Sequence, residues 1–243
     1  MNRSLELRSG SFSGNCVLYW MVRDKRIRDN WALIKAQEIA IQNNVPLIVC
    51  FNYHNSYKDA NLRQYQFLFD GLKENQENLN QLQIRFYLLH GRAHFEVPKL
   101  IKQKKVGFLI TDFSPLKIYR SRLKKVLNKI SIPVLQVDTH NIIPAWKTSE
   151  KKEFAAYTIR PKIKKLLPDY LTEIPEIKRH PVSMDDVVSP INWENVISTL
   201  NIKSDIKTVG WVKPGEKEAR KLLNRLKTNL IGYNNKRNDQ MNI

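Results

Sequence analysis

With 243 residues and 42% hydrophobic content, the chain can bury one substantial core and begin a second, so one large domain with an appendage is expected. A formal charge of +18 and a pI near 9.9 exclude a polyanion-repelling surface. Nucleic acid is the first partner to consider, but the Lys- and Asn-rich usage of an AT-rich genome gives the same numbers, and charge alone leaves both readings open.

Cys16 and Cys50 each sit inside an apolar run rather than in a paired spacing. They read as small core residues of a reducing compartment. No segment approaches the roughly 18 consecutive apolar residues of a membrane span. Residues 1–10 lack the apolar stretch of a secretory leader, so a cytoplasmic chain without a membrane partner is expected.

In chain order, short apolar, β-branched or aromatic runs occur at residues 16–21, 46–51, 84–90, 106–111 and 133–137, each the length of a buried strand. Between the first two, Ala32, Leu33, Ala36, Ile39 and Ala40 recur at helical spacing, with Asp29 as the predicted N-cap. Further helices are predicted near residues 62–78, 95–103 and 116–128. Strand and helix alternating four times predicts an α/β fold: a Rossmann-like, doubly wound, five-stranded parallel sheet covered on both faces.

After Val137 the segment Asp138-Thr-His-Asn-Ile-Ile-Pro-Ala-Trp146 is too polar and proline-broken to continue the sheet. Residues 151–167 look helical with Pro161 interrupting them, and prolines at 168, 175, 181 and 190 mark an extended connector that includes Met184-Asp-Asp-Val-Val. A last amphipathic helix is predicted from Glu216 to about Ile231, opened by Pro214-Gly215. The expected division is an α/β domain over 1–150, a linker with helices over 151–210, and the first helix of an incomplete helical domain over 211–243.

A nucleotide-binding sheet usually carries a glycine-rich turn after its first strand, because glycine lets the backbone approach a phosphate. Here the turn is Val22-Arg-Asp-Lys-Arg-Ile-Arg-Asp-Asn-Trp31, crowded with charge. Neither the dinucleotide fingerprint nor the Walker motif is present, which argues against hydride and phosphoryl transfer. His90 and His94 have a metal-compatible spacing, yet His90 closes a strand, Gly91 follows, and no third ligand is near in sequence, so no metal is expected. Ser114 in Asp-Phe-Ser-Pro lacks the glycines of a nucleophile elbow. From Lys99 to Lys129 there are ten Lys or Arg against one Asp, Asp112. That run is either a patch that tracks a nucleic-acid backbone or the solvated face of surface helices.

The charged turn carries a resemblance. Tyr19-Trp-Met-Val-Arg-Asp-Lys-Arg-Ile-Arg-Asp-Asn-Trp-Ala-Leu33 resembles the opening of class II cyclobutane-pyrimidine-dimer photolyases, in the photolyase and cryptochrome superfamily. Similar stretches follow in family order: Arg63-Gln-Tyr-Gln-Phe-Leu-Phe-Asp-Gly-Leu72, Thr111-Asp-Phe-Ser-Pro-Leu116, Val137-Asp-Thr-His-Asn-Ile-Ile-Pro-Ala-Trp146 and Ser149-Glu-Lys-Lys-Glu-Phe-Ala-Ala-Tyr-Thr-Ile-Arg-Pro-Lys162. The last two look particular to class II. Trp211-Val-Lys-Pro-Gly215 and Tyr233-Asn-Asn-Lys-Arg-Asn-Asp239 extend the likeness along the chain.

The resemblance implies an antenna domain, a linker, and a helical domain that binds FAD and receives the flipped-out dimer from damaged DNA. It implies a DNA-repair lyase, a monomeric flavoprotein in which excited reduced flavin donates an electron to the dimer and recovers it after the ring splits. In that family the flavin phosphate-binding segment, the tryptophan-rich electron path and the dimer pocket lie beyond Gln240, where the family has proline. The chain is therefore expected to be catalytically incomplete, with no catalytic residue of its own, and to be either truncated or completed by a separately encoded FAD-binding domain.

Ligands of doubly wound sheets sit at the carboxyl ends of the strands near the point where strand order reverses. Those ends offer Arg23, Asp24 and Lys25, then Phe51 and Asn52, then Asp112 and Phe113. A flat antenna chromophore, a deazaflavin by the resemblance, wants aromatic stacking and a few fixed charges. The alternative is that Arg23, Asp24, Arg26, Arg28 and Asp29 satisfy one another and cap the helix. Tyr19, Trp20 and Trp31 read as packing. The class II-like stretch holding Glu153, Tyr157, Arg160 and Lys162 is implied to lie between domains, with Arg160 and Lys162 at a DNA or domain interface. Two other functions remain in view: a stand-alone α/β module that binds a pigment or nucleic acid, and a cryptochrome-like light receptor.

Overall fold

The computed structural model of the chain describes residues 2–55, 60–186, 190–200, 202, 206, 209–230 and 233. Its centre is a six-stranded sheet of β1 (Ser4–Arg8), β2 (Cys16–Met21), β3 (Leu47–Tyr53), β4 (Arg85–His90), β5 (Val106–Asp112) and β6 (Val134–Val137), in the order β1-β6-β5-β2-β3-β4. The five strands expected from the sequence are all present and mutually parallel. A sixth, β1, is added: it runs antiparallel along β6 at the edge. Five residues alternating Leu with Ser, Glu and Arg carry too little apolar signal to stand out near a chain terminus.

Alternation along β2 assigns the two faces. Val17, Tyr19 and Met21 point into one core with α1 (Trp31–Gln42) and α2 (Leu62–Gln81). Cys16, Leu18 and Trp20 point into the other with α3 (Ala93–Lys104) and α4 (Lys117–Leu127). A strand buried on both faces must be apolar throughout, and all six residues of β2 are buried. The two free thiols lie in this core, where burial pushes Cys16 up to about 12 and Cys50 higher still. Neither is ionised near neutral pH, so both act as small apolar groups.

The N-cap of α1 is Asn30 rather than Asp29. Asp29 takes the left-handed conformation that turns the chain (φ 54°), and the fully buried Asn30 follows it. Its side-chain oxygen accepts from Ala32 N and Leu33 N at 3.1 Å each, while its amide donates to Arg26 O at 2.8 Å and Tyr19 OH at 3.2 Å. Asn can both cap the helix and close the preceding bend, whereas a carboxylate only accepts.

Beyond the sheet come α5 (Ala145–Thr148), α6 (Ala156–Tyr170), α7 (Trp193–Ser198) and α8 (Glu216–Asn229). Pro161 and Pro168 lie inside α6 rather than ending it. The connector between α6 and α7 is extended but anchored. Gln37 exchanges hydrogen bonds with the Lys178 backbone, donating to its carbonyl at 2.7 Å. Buried His180 sits 2.9 Å from Val45 O, and Asp186 holds Lys104 at 2.6 Å and the Tyr87 hydroxyl. These anchors lie at the amino ends of β3, β4 and β5, so the connector straps the edge opposite the strand tips. Val187 and Val188 of the Met184 stretch, the expected helix end at Ile231, and the Tyr233–Asp239 likeness apart from Tyr233 fall outside the described residues. Among the described residues no helix is long and apolar enough to cross a membrane.

Candidate functional site

Strand order reverses between β2 and β5, the two strands whose following segments diverge. That crevice is filled by the protein itself. Asp112, at the end of β5, accepts hydrogen bonds from three successive backbone N–H groups of the bend: Val22 at 2.7 Å, Arg23 at 2.5 Å and Asp24 at 2.9 Å. Burial raises the Asp112 carboxyl above its usual range, and the three N–H groups oppose that shift. Tyr19, whose hydroxyl is held by Asn30, is pushed well above its ordinary value by burial and the nearby Asp112 carboxylate, and stays protonated.

Much of the rest of the bend is also tied down. Arg26 meets Asp24 at 2.5 Å and donates to the carbonyls of Asp29 and Thr139. The Thr139 hydroxyl donates to Asp24, and Asp138 closes its own turn by accepting from His140 N, Asn141 N and Ala145 N. Two sequence-distant motifs thus buttress each other. Glu216, the first residue of α8, accepts from Ile27 N at 2.9 Å and Arg28 N at 3.2 Å, and Arg220 reaches Asp29 at 2.9 Å. Gly215 (φ 103°) lets α8 approach α2: a Cβ there would lie 2.0 Å from the Glu74 carboxylate.

Beside this closed bend, the strand tips frame an open cavity of about 430 Å³. Trp20, Met21 and Val22 from β2 and its exit form one side; Phe51, Asn52 and Tyr53 from β3 and His54 just after it form the floor. Tyr65 and Leu68 of α2 close one wall, and Arg92 and His94 with Tyr119, Arg122 and Lys125 of α4 close the other. Lys25 reaches in from the bend, its ammonium 5.6 Å from the Phe51 ring. Asn52 is aimed by its amide, which donates to Gly91 O at 3.0 Å, and the Tyr65 hydroxyl donates to His54 O at 2.6 Å. Among the described lining residues there are four Lys or Arg side chains and no carboxylate. Burial, and then Lys129, Lys125 and Arg92, hold the His94 imidazole below its usual pKa, so it is neutral and can accept a hydrogen bond.

Of the seven residues expected at a chromophore, the structure brings Lys25, Phe51 and Asn52 to the cavity. Arg23, Asp24, Asp112 and Phe113 do not line it. Asp24 and Asp112 belong to the buried network, and Phe113 packs edge-on against Trp146 at 5.4 Å. Arg160 is exposed on α6, while Lys162 is tied to Glu153 at 2.5 Å and Ser149 at 2.9 Å. His90 stacks on Tyr53 at 4.7 Å and pairs with Asn55, whereas His94 packs on Phe95, so the two do not share a ligand. Sequence reasoning missed Tyr65, Arg92, Tyr119 and Arg122. Arg92 follows the end of β4 and was open to the same strand-tip rule; Tyr119 and Arg122, three apart, face one way on α4.

The residues present fit a single flat ring system. The volume lies within the range of small-ligand sites, and an aromatic floor with cationic walls suits a planar, electron-rich or anionic chromophore. They do not fit a dinucleotide such as FAD at the bend. Its pyrophosphate would need free backbone N–H groups there. Five of them are already occupied by Asp112 and Glu216.

A family model described as DNA photolyase matches residues 17–180. The chain is 38% identical over 200 residues to the deoxyribodipyrimidine photo-lyase of Potorous tridactylus, covering 82% of this chain and 38% of that protein. It is 38% identical over 207 residues to the Arabidopsis thaliana protein of the same name, covering 82% and 41%. The chain thus spans about two fifths of the length of these relatives. Among solved structures, a Synechocystis sp. PCC6803 cryptochrome matches with a TM-score of 0.56 at 12% identity, over 76% of this chain and 41% of that one, which shows likeness of fold. A matching family model over most of the sheet and connector, joined to that fold, places the chain in its family: it belongs to the DNA photolyase family.

Proposed function

We propose that this chain is the antenna part of a class II deoxyribodipyrimidine photolyase, and that its strand-tip cavity holds a light-harvesting chromophore of deazaflavin type. The observation that carries the reading is the cavity itself: aromatic on its floor, cationic on its walls and located at the carboxyl ends of β2, β3 and β4. Phe51 and Tyr65 stack against or bracket the ring, Lys25, Arg92 and Arg122 balance negative charge on it, and Asn52 and neutral His94 offer directional hydrogen bonds. Arg23, Asp24 and Asp112 act as the rigid rim that sets Lys25, not as ligands.

In this reading residues 1–150 form the antenna domain, 151–210 link it onward, and 211–243 begin the contact with a helical flavin domain. Reduced FAD held there supplies the electron that splits the cyclobutane dimer in damaged DNA. The described residues of this chain contribute light capture and docking. Arg160, exposed on α6, and Lys162, fixed by Glu153, then face the flavin domain or the DNA.

Adding a deazaflavin to the purified chain in the dark tests this. Stoichiometric uptake is expected, seen as a shifted visible absorption band and quenched pigment fluorescence. Failure of uptake at micromolar protein, with the chain folded by circular dichroism, would overturn the chromophore assignment.

A further inference from the structure

The cationic run from Lys99 to Lys129 becomes, in three dimensions, one surface. It occupies α3, α4 and the turns after them, and α3 and α4 pack together on the same side of the sheet. Each helix turns its apolar residues inward: Ala93, Val97, Leu100 and Ile101 from α3, Val126 from α4. What remains outside is basic. Lys99 and Lys102 are exposed on α3; Lys117, Arg120 and Lys124, at i, i+3 and i+7, form an exposed stripe along α4.

Little compensates this charge. Lys99, Lys102, Lys105, Lys117, Arg120, Lys124 and Lys125 have no carboxylate partner among the described residues, whereas Lys104 is paired with Asp186. Asp112 is buried and occupied by backbone N–H groups, leaving Glu96 in the first turn of α3 as the nearby acid. The depressed pKa of His94, caused by burial and then by Lys129, Lys125 and Arg92, reports the same positive field.

We propose that the α3–α4 face holds the phosphate backbone of duplex DNA, independent of base sequence and of damage. The choice of DNA among polyanions rests on the repair reading above; the surface itself does not. At about 1.5 Å per residue, the 11 residues of α4 span roughly 16 Å. That covers about five phosphates along one strand, and its stripe presents a cation about once per turn. An anionic membrane fits less well, because Phe95 and Leu116 are the large apolar residues exposed on these helices and do not form a continuous apolar face.

The test measures anisotropy of a labelled, undamaged duplex against salt, using the whole chain in the dark without pigment. Wild type should bind with a steep salt dependence. The combined Lys99→Glu, Lys102→Glu, Lys117→Glu, Arg120→Glu and Lys124→Glu variant should weaken binding at least about tenfold near 0.1 M salt and flatten the slope by about one unit per lost contact. An equal reversal on the opposite side, Lys73→Glu, Lys178→Glu, Arg179→Glu, Lys217→Glu and Arg225→Glu, should change it far less. Equal losses in both variants would reduce the effect to net charge and overturn the proposal, as would wild-type binding to phosphatidylserine vesicles but not to DNA. Should the reversed α3–α4 set misfold, the five Gln substitutions give the same reading through the slope. Deazaflavin uptake is measured in parallel, so loss of DNA binding and failure of the chromophore reading are separate results.

Discussion

The bend after β2 and the cavity beside it are neighbours with opposite chemistry. The bend from Val22 to Asn30 is dense in charge yet largely closed: five of its N–H groups end on Asp112 and Glu216, and Arg26 ends on Asp24, Asp29 and Thr139. The cavity has fewer charges, and its described lining places Lys25, Arg92, Arg122 and Lys125 around an aromatic floor with no carboxylate among the described lining residues. Charge density in sequence therefore does not by itself say where an open cavity forms; the long-range contacts that close the bend decide that.

Three experiments sharpen this contrast. The largest effect is expected in the bend. Asp112→Ala leaves three backbone N–H groups without their acceptor. It should cost on the order of 3 kcal/mol in urea denaturation, because each stranded buried donor carries its own desolvation penalty. A loss below about 1 kcal/mol would mean that the bend is held elsewhere.

A smaller effect separates the two regions by ligand affinity. Phe51→Leu keeps an apolar side chain but removes the ring, and Lys25→Met removes the charge beside it. Each should weaken deazaflavin binding by about 1 kcal/mol, roughly fivefold to tenfold, whereas Arg23→Met should leave titration curves unchanged. Equal weakening by Arg23→Met would return the bend to the role of ligand.

The smallest effect lies at the Glu153–Lys162 ion pair beside the start of α6. Lys162, Ser149 and Thr158 hold the Glu153 carboxyl down at about 2 against an ordinary 4.5. A depressed acid stabilises above its unfolded value and loses that contribution as pH falls, here from about 4.5 toward 2. A carboxyl NMR titration should place Glu153 near 2, and Lys162→Met should move its midpoint upward; an unmoved midpoint would show that the ion pair is not what holds the start of α6.

Local sequence determined the five parallel strands, the main helices and the two-faced burial, because periodicity and strand length are written residue by residue. Cys16–Met21 reads as buried on both sides from its composition alone, and the structure agrees. The site was only half legible. The strand-tip rule points to Phe51, Asn52 and Lys25, which line the cavity, and equally to Asp112 and Asp24, which lie buried in the network beside it. What separates them is which partners arrive from 88 or more residues away: Asp112 comes to the bend, and Thr139 comes to Asp24. The basic run behaves the same way, since Lys104 meets Asp186 across 82 positions while the α4 stripe meets no acid among the described residues. Periodicity is a local property of the chain, whereas compensation of charge is settled by long-range contacts, and only the tertiary structure decides those.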